Sequence, residues 1–157
     1  MSSSMHDAPV NVLVVEDDEV DVEFLQRLFK KRGISNPIYH ARNGVDGLAL
    51  IRGENNREKV SKPFIVLLDI NMPMMNGMEM LEELRKDEKL RDSIVFILTT
   101  SPREEDKQNA FKLNVAGYFL KQDVNELIEL LGLYWKLNEF PEADSFTALN
   151  PYRSDLR

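Results

Sequence analysis

The chain has 157 residues, of which 43% are apolar and 30% are charged, a composition typical of one soluble globular domain with an ordinary buried core. Its formal net charge of −7 argues against non-specific binding to nucleic acid, which requires a basic surface that displaces counterions. No apolar run could span a membrane, and residues 1–8 lack the apolar stretch of a secretory signal. The absence of cysteine excludes disulfide and thiolate chemistry. We therefore expect a cytoplasmic protein without membrane contact.

Short apolar runs and longer amphipathic segments alternate along the sequence. The apolar runs are predicted to be buried strands, because each is brief and continuous, at residues 10–15, 37–42, 64–68, 94–98 and 115–120. The segments between and after them are predicted to be helices at residues 19–32, 45–52, 77–88, 103–113 and 124–137. Strands that alternate with helices imply parallel βαβ units, and right-handed crossovers then place helices on both faces of the sheet.

The apolar periodicity of the first helix predicts which of its faces is buried. Val22, Leu25 and Phe29 recur at the spacing of one helical face. We expect Phe24 and Leu28 to join that face. The helix should therefore pack against the sheet along this stripe.

Polar side chains follow four of the strands at their carboxyl ends. Residues 16–18 are three consecutive acids, Asp69 ends the third strand, residues 99–101 are hydroxyl-bearing, and Lys121 follows the fifth strand. In open parallel α/β sheets, this edge is where ligands bind. We therefore expect these groups to converge on one site.

The convergence of acids, hydroxyls and an ammonium suggests phosphoryl chemistry. Crowded carboxylates raise one another's pKa unless a cation relieves the repulsion, and Mg²⁺ prefers oxygen ligands. Asp69 could then attack phosphorus and form an aspartyl phosphate. The metal and Lys121 would offset the charge of the transferring group, and the Thr99 hydroxyl could donate a hydrogen bond to a phosphate oxygen.

Each of these groups also has a purely structural explanation. The acids at 16–18 could cap the first helix, which by itself is about as plausible as metal binding. Residues 99–101 could cap the fourth helix, which by itself is the better explanation. Lys121 could be an ordinary surface lysine, and Asp69 could cap a turn. The site is favoured because all four groups fall at strand ends of one sheet.

Four segments make the chain resemble the receiver domain of two-component response regulators. They are Val-Val-Glu-Asp at 14–17, Leu-Leu-Asp-Ile-Asn-Met-Pro-Met-Met-Asn-Gly at 67–77, Leu-Thr-Thr at 98–100 and Gly-Tyr-Phe-Leu-Lys at 117–121. The resemblance covers about residues 11–138. It implies a flavodoxin-like, doubly wound sheet of five parallel strands in the order 2-1-3-4-5, with helices on both faces.

The resemblance also implies a role for each residue at the site. Asp69 corresponds to the phosphoacceptor, Thr99 to the switch hydroxyl, Lys121 to the lysine that pairs with the phosphate, and Tyr118 to the aromatic whose rotamer follows the switch. The implied Mg²⁺ ligands are Glu16, Asp17, Asp69 and the backbone carbonyl of Asn71. Asn71 and Ser101 also match positions that tune dephosphorylation, and we expect Asp18 to cap the first helix.

One position departs from the family pattern. Family members usually have a proline after the lysine, often with a cis peptide bond, whereas this chain has Gln122. Because a cis bond before a residue other than proline costs roughly 3 kcal/mol, we expect a trans bond or a shifted loop at this point. The position of Lys121 and the start of the fifth helix depend on the outcome.

The predicted organisation is a flexible N-terminus at 1–9, a receiver domain at 10–138 and a tail or docking arm at 139–157. We expect no second domain, so the output would pass through protein contact. The long fifth helix, with Leu-Tyr-Trp-Lys-Leu-Asn at 133–138, and the proline-containing tail resemble those of small stand-alone regulators that pair with phytochrome-type histidine kinases. Leu130, Leu133 and Leu137 form a second apolar stripe on the fifth helix, which could pack under Phe140 or Phe146 or form a dimer face. We predict a homodimer through the fourth helix, fifth strand and fifth helix.

Two other functions remain open from the sequence. One is a phosphorylation-independent interaction module with a receiver fold, which Gln122 leaves possible. The other is a phosphatase of the haloacid dehalogenase type, whose aspartyl nucleophile needs a second Asp two residues later. This chain has Asn71 there, and an amide cannot act as general acid or base. We therefore predict a signalling protein and not an enzyme.

Overall fold

A computed structural model describes residues 9–136 and consists of one parallel sheet with helices on both faces. The strands are β1 Asn11–Val15, β2 Ile38–Ala41, β3 Phe64–Leu68, β4 Ile94–Thr99 and β5 Gly117–Leu120. The helices are α1 Glu19–Lys31, α2 Gly44–Arg52, α3 Gly77–Lys86, α4 Glu104–Lys112 and α5 Val124–Lys136, and a 3-10 turn at Lys121–Asp123 precedes α5. The sheet order is β2-β1-β3-β4-β5, which confirms the predicted fold.

Every predicted strand and helix is present, with small shifts at the ends. The largest are in α3, which ends at Lys86 instead of residue 88, and in β5, which begins at Gly117 instead of residue 115. The predicted end of the fifth helix at residue 137, the N-terminal segment 1–8 and the tail 139–157 lie outside the described residues. Among the helices that the structure describes, none has the length and apolarity needed to cross a bilayer.

The sheet separates two apolar layers, because successive side chains of a strand point to opposite faces. On β1, Val12 and Val14 lie in the layer covered by α1 and α5, whereas Leu13 and Val15 lie in the layer covered by α2, α3 and α4. Both faces of β3 are buried, and for this reason its sequence is apolar without interruption. An acid directly after such a strand is carried to the edge of the sheet.

Side chains cap three of the helices at the same edge. Asp18 caps α1 by accepting a hydrogen bond from the Val20 backbone N–H at 2.9 Å, as predicted. Asn43 caps α2, and Asn76 and Glu79 form a reciprocal capping box at the start of α3. These caps fix the chain at the points where it leaves the carboxyl ends of β1, β2 and β3.

One prediction about a helix face requires correction. Val22, Leu25 and Phe29 are buried, but Phe24 is 52% exposed and does not join their face. Helix α1 covers the sheet with a narrow stripe, so Phe24 falls on the solvent side.

On α5, Leu130 is partly buried in the α1/α5 layer and Leu133 is 62% exposed. The predicted cover of this stripe by the tail, and the contribution of residue 137 to it, lie outside the described residues.

Arg85 ties the end of α3 to the loops that precede β4 and β5. Its Nε donates to the carbonyl of Leu113 at 2.7 Å, and its Nη2 donates to that of Asn114 at 3.1 Å. Its Nη1 donates to the carbonyls of Arg91 and Ser93 at 2.8 and 2.9 Å. Burial lowers the pKa of Arg85 to about 10, so the guanidinium stays charged at neutral pH. The side chain thereby anchors the segment that leads into β5.

Candidate functional site

Three carboxylates meet where β1 and β3 end. The strands are paired with Val15 opposite Leu68, so the acids that follow them are neighbours. Carboxylate oxygens of Glu16, Asp17 and Asp69 all lie within 4.8 Å of one another. Glu16 and Asp69 are each 5% exposed, whereas Asp17 is open to solvent. The structure thus brings together the three acidic side chains that the sequence assigned to a metal site.

Burial, together with the neighbouring Asp69 carboxylate, changes the pKa of Glu16. Burial and the nearby charge of Asp69 raise the pKa of Glu16 to about 7, against the opposing effect of hydrogen bonds from Lys121 and the Asp18 backbone N–H. Repulsion of this kind is relieved by a cation that shares the carboxylates. Three carboxylates with a face open to water match the oxygen ligands and retained waters that Mg²⁺ prefers, so the donor set fits that ion.

Lys121 enters the same site from the 3-10 turn after β5. Its Nζ lies 2.7 Å from Glu16 Oε1, 2.6 Å from Asp21 Oδ2 and 3.5 Å from Asp69 Oδ2. Burial disfavours the ammonium, but the hydrogen bonds to Asp21 and Glu16 and the charge of Asp69 outweigh it and hold the pKa of Lys121 above its ordinary range. The ammonium therefore stays charged beside the predicted nucleophile.

Gln122, at the position where the family usually has proline, does not keep Lys121 away from the site. The peptide bond between Lys121 and Gln122 is trans, and the only cis bond in the described part of the chain joins Lys62 to Pro63. This agrees with the predicted trans bond. The 3-10 turn that begins at Lys121 allows the lysine to reach Asp69 without the proline that is usual in the family.

A chain of hydrogen bonds links the other two predicted switch residues. Thr99 is fully buried, and its Oγ1 accepts a bond from the Ser101 backbone N–H at 3.3 Å. The Tyr118 hydroxyl donates to the Ser101 carbonyl at 2.8 Å, and burial raises the pKa of this phenol. The Ser101 hydroxyl donates to Asp106 Oδ2 at 2.6 Å and accepts a bond from the Arg103 backbone N–H at 3.4 Å. Ser101 thus connects β4, α4 and β5, whereas the N-cap residue of α4 is Arg103 and makes no capping bond with its own side chain.

The loop after Asp69 folds tightly against it. The exposed Asn71 donates its backbone N–H to Asp69 Oδ1 at 3.4 Å. Gly77, the first residue of α3, donates to the Ile70 carbonyl at 3.0 Å. A Cβ at Gly77 would lie 2.1 Å from the Asp69 carbonyl oxygen, so only glycine permits this approach. The close approach of Gly77 therefore supports the backbone of Asp69.

Two residues at the site were not found by sequence reasoning. Asp21 bonds to Lys121, although an acid in the first turn of α1 is explained equally well by the helix dipole. His40, on β2, donates from its Nε2 to the backbone carbonyl of Glu16 at 2.6 Å. No local pattern distinguishes these residues, because each contact joins segments that are far apart in the sequence.

The described residues form a doubly wound parallel sheet with an acidic trio and a lysine at its carboxyl edge, the arrangement that the resemblance to receiver domains implied. The profile of the response regulator receiver domain matches residues 12–132. The chain therefore belongs to the family of response regulator receiver domains.

Individual relatives agree with this membership. The response regulator Rcp1 of Synechocystis is 28% identical over 131 residues, which are 81% of this chain and 89% of that protein. The Mn²⁺-bound crystal structure of Rcp1 covers 81% of this chain and 94% of its own, with a TM-score of 0.71 and 28% identity. The phosphorylated cyanobacterial phytochrome response regulator RcpA gives a TM-score of 0.74 at 26% identity, covering 85% and 98% of the two chains. The crystal structure of a two-component response regulator from Legionella pneumophila has a TM-score of 0.71 and 37% identity, and the match covers 81% of this chain and 98% of that one.

Proposed function

We propose that this protein is a response regulator whose receiver domain accepts a phosphoryl group on Asp69 from a histidine kinase. The observation that carries the proposal is the set of contacts around Asp69. A buried carboxylate lies with two further acids within 4.8 Å and a lysine ammonium 3.5 Å away. That combination supplies a nucleophile, a place for a cation and a fixed positive charge.

The proposed transfer follows from these positions. An Asp69 carboxylate oxygen attacks phosphorus and forms a P–O bond, while the bond between phosphorus and the histidine nitrogen of the donor breaks and leaves its electron pair on nitrogen. Lys121 offsets charge on the phosphoryl oxygens throughout the step. Glu16, Asp17, Asp69 and the carbonyl of Asn71 would hold Mg²⁺, which when bound supplies charge neutralisation at the phosphoryl oxygens. The Mn²⁺ in the Rcp1 structure supports a divalent cation here.

We propose that the signal leaves the site through Thr99 and Tyr118. A phosphoryl group adds roughly two negative charges and new hydrogen-bond acceptors next to the end of β4. The Thr99 hydroxyl would donate to one of these oxygens. Because Ser101 is bonded to both Thr99 and Tyr118, a shift of the β4 end changes the partner of the Tyr118 hydroxyl. The surface formed by α4, β5 and α5 would then change and support a homodimer.

The partner that we propose is a sensor histidine kinase of the phytochrome type, in the cytoplasm, with neither nucleic acid nor membrane as a partner. The likeness to RcpA, a phytochrome response regulator, supports this choice. The acidic net charge of −7 supports a protein partner over nucleic acid.

We set the phosphatase function aside, because turnover requires a group that activates water. The amide of Asn71, two residues after the nucleophile, is neither basic enough to accept a proton from water nor acidic enough to donate one. The interaction module without phosphorylation is disfavoured by the buried Asp69, whose acidic and basic neighbours a purely structural site does not need.

Incubation with acetyl phosphate and Mg²⁺ tests the proposal. The parent protein should gain the mass of one phosphoryl group, labile in base and stable in acid, and Asp69→Asn should gain none. Asp92→Asn, which neutralises an exposed acid in the loop before β4, is the matched control and should be phosphorylated like the parent. Continuous hydrolysis of phosphomonoesters would indicate the phosphatase, and a parent protein that gains no phosphate would indicate the module.

A further inference from the structure

The ammonium of Lys121 has a partner that the proposed transfer does not use. Asp21, in the first turn of α1, accepts a bond from Lys121 Nζ at 2.6 Å. This contact is shorter than the 3.5 Å contact between Lys121 and Asp69. The side chain of Asp21 is 40% exposed and that of Lys121 is 22% exposed, so water screens the pair only in part. Asp21 therefore holds the lysine more closely than the nucleophile does.

The contact between Lys121 and Asp21 is important because the ammonium has a limited number of hydrogen-bond donors. An ammonium has three N–H groups, and two of them are engaged in the short bonds to Glu16 and Asp21. The contact with Asp69 is at the outer limit of a hydrogen bond. A phosphoryl group on Asp69 would offer several strong acceptors, which the lysine can meet fully only by loosening an existing bond.

The two acids that hold the lysine are not equivalent. Glu16 belongs to the group of three carboxylates that can share a cation, so its attraction for Lys121 would be weakened when the cation binds. Asp21 is outside that group. A cation shared by that group would leave the carboxylate of Asp21 unshared, so Asp21 remains the competing acceptor.

We infer that Asp21 is a positioning residue that retains Lys121 in the resting arrangement and competes with the phosphoryl group on Asp69 for its ammonium. The inference rests on the proposed function. Asp21 then favours the unphosphorylated state, and its removal releases the lysine to the phosphoryl oxygens.

Titration with beryllofluoride, a phosphoryl mimic that binds aspartate carboxylates, tests this inference in the full chain with saturating Mg²⁺. Asp21→Asn should bind the mimic about two- to fivefold more tightly than the parent, the range expected for a partly exposed ion pair. Glu23→Gln removes the same charge from an exposed position of the same helix and is the matched control, with an unchanged dissociation constant. Equal or weaker binding by Asp21→Asn, or equal tightening in the control, overturns the inference.

A second measurement reports on Lys121 directly. In the metal-free protein, the ¹⁵N–¹H signal of the Lys121 ammonium, assigned by its loss in Lys121→Arg, should shift in Asp21→Asn and stay unchanged in Glu23→Gln. An unchanged signal in Asp21→Asn overturns the inference and leaves the proposed function standing. A parent protein that binds no beryllofluoride in the presence of Mg²⁺ overturns both.

Discussion

Arg85 should be a major determinant of stability, because one side chain satisfies four backbone carbonyls. Replacement by Met keeps the length of the apolar stem and removes every donor. The contacts with Ser93 and Leu113 are partly buried, whereas those with Arg91 and Asn114 are at the surface, where water can replace the guanidinium.

The expected loss follows from the two partly buried carbonyls. Each buried acceptor left without a partner costs about 1–3 kcal/mol. Because these two carbonyls are only partly buried, the lower part of the summed range applies, and Arg85→Met should lower the free energy of unfolding by about 2–4 kcal/mol. Arg85→Lys keeps the positive charge but not the planar guanidinium with its several donors, so it should lower the free energy of unfolding by about half as much. Losses of this size are a large fraction of the roughly 5–15 kcal/mol that stabilises a typical domain.

Urea unfolding with linear extrapolation measures this effect, and an unchanged m-value would show that the same two states are compared. Arg91→Met is the matched control, because the Arg91 side chain is exposed, and its effect should stay within about 0.5 kcal/mol. A loss below about 0.5 kcal/mol in Arg85→Met would refute the reasoning, since it would mean that the carbonyls find water without penalty.

Two further predictions concern the acidic edge itself. Because the pKa of Glu16 is raised from 4.5 to about 7, metal binding must displace a proton at lower pH, and the Mg²⁺ affinity measured by calorimetry should fall about tenfold per unit below pH 7. Without metal, the same raised pKa means that the contribution of Glu16 to stability is fully present below pH 4.5 and is lost as the pH rises through about 7. In Glu16→Gln, both the Mg²⁺ affinity and the stability should depend less on pH. Gly77→Ala would place a Cβ 2.1 Å from the Asp69 carbonyl oxygen, so it should lower the melting temperature and slow phosphorylation by acetyl phosphate. Gly132→Ala, at a position with open space around the added methyl, should do neither, and a Gly77→Ala protein that behaves like the parent would contradict the close approach.

The sequence by itself determined the fold and the edge of the sheet that carries the site. Continuous apolar runs as short as Phe64–Leu68 favour strands buried on both faces, and the helices between them favour parallel pairing. With the strand order that the family resemblance implies, β1 and β3 are adjacent, so the acids that follow them are neighbours. Caps such as Asp18 were also predictable, because a cap depends on only a few consecutive residues.

Only the tertiary structure decided how the lysine is held and which side chains support the acids. Asp21 and Lys121 are 100 residues apart in the sequence, and His40 is 24 residues from the carbonyl it contacts. Whether such groups meet depends on how closely α1 packs beside the end of β5 and on the rotamers that this packing allows. The exposure of Phe24 has the same origin, because the width of a buried helix face is set by the surface it covers. Local patterns encode burial and chain direction, whereas contacts between distant segments are fixed only when the layers pack.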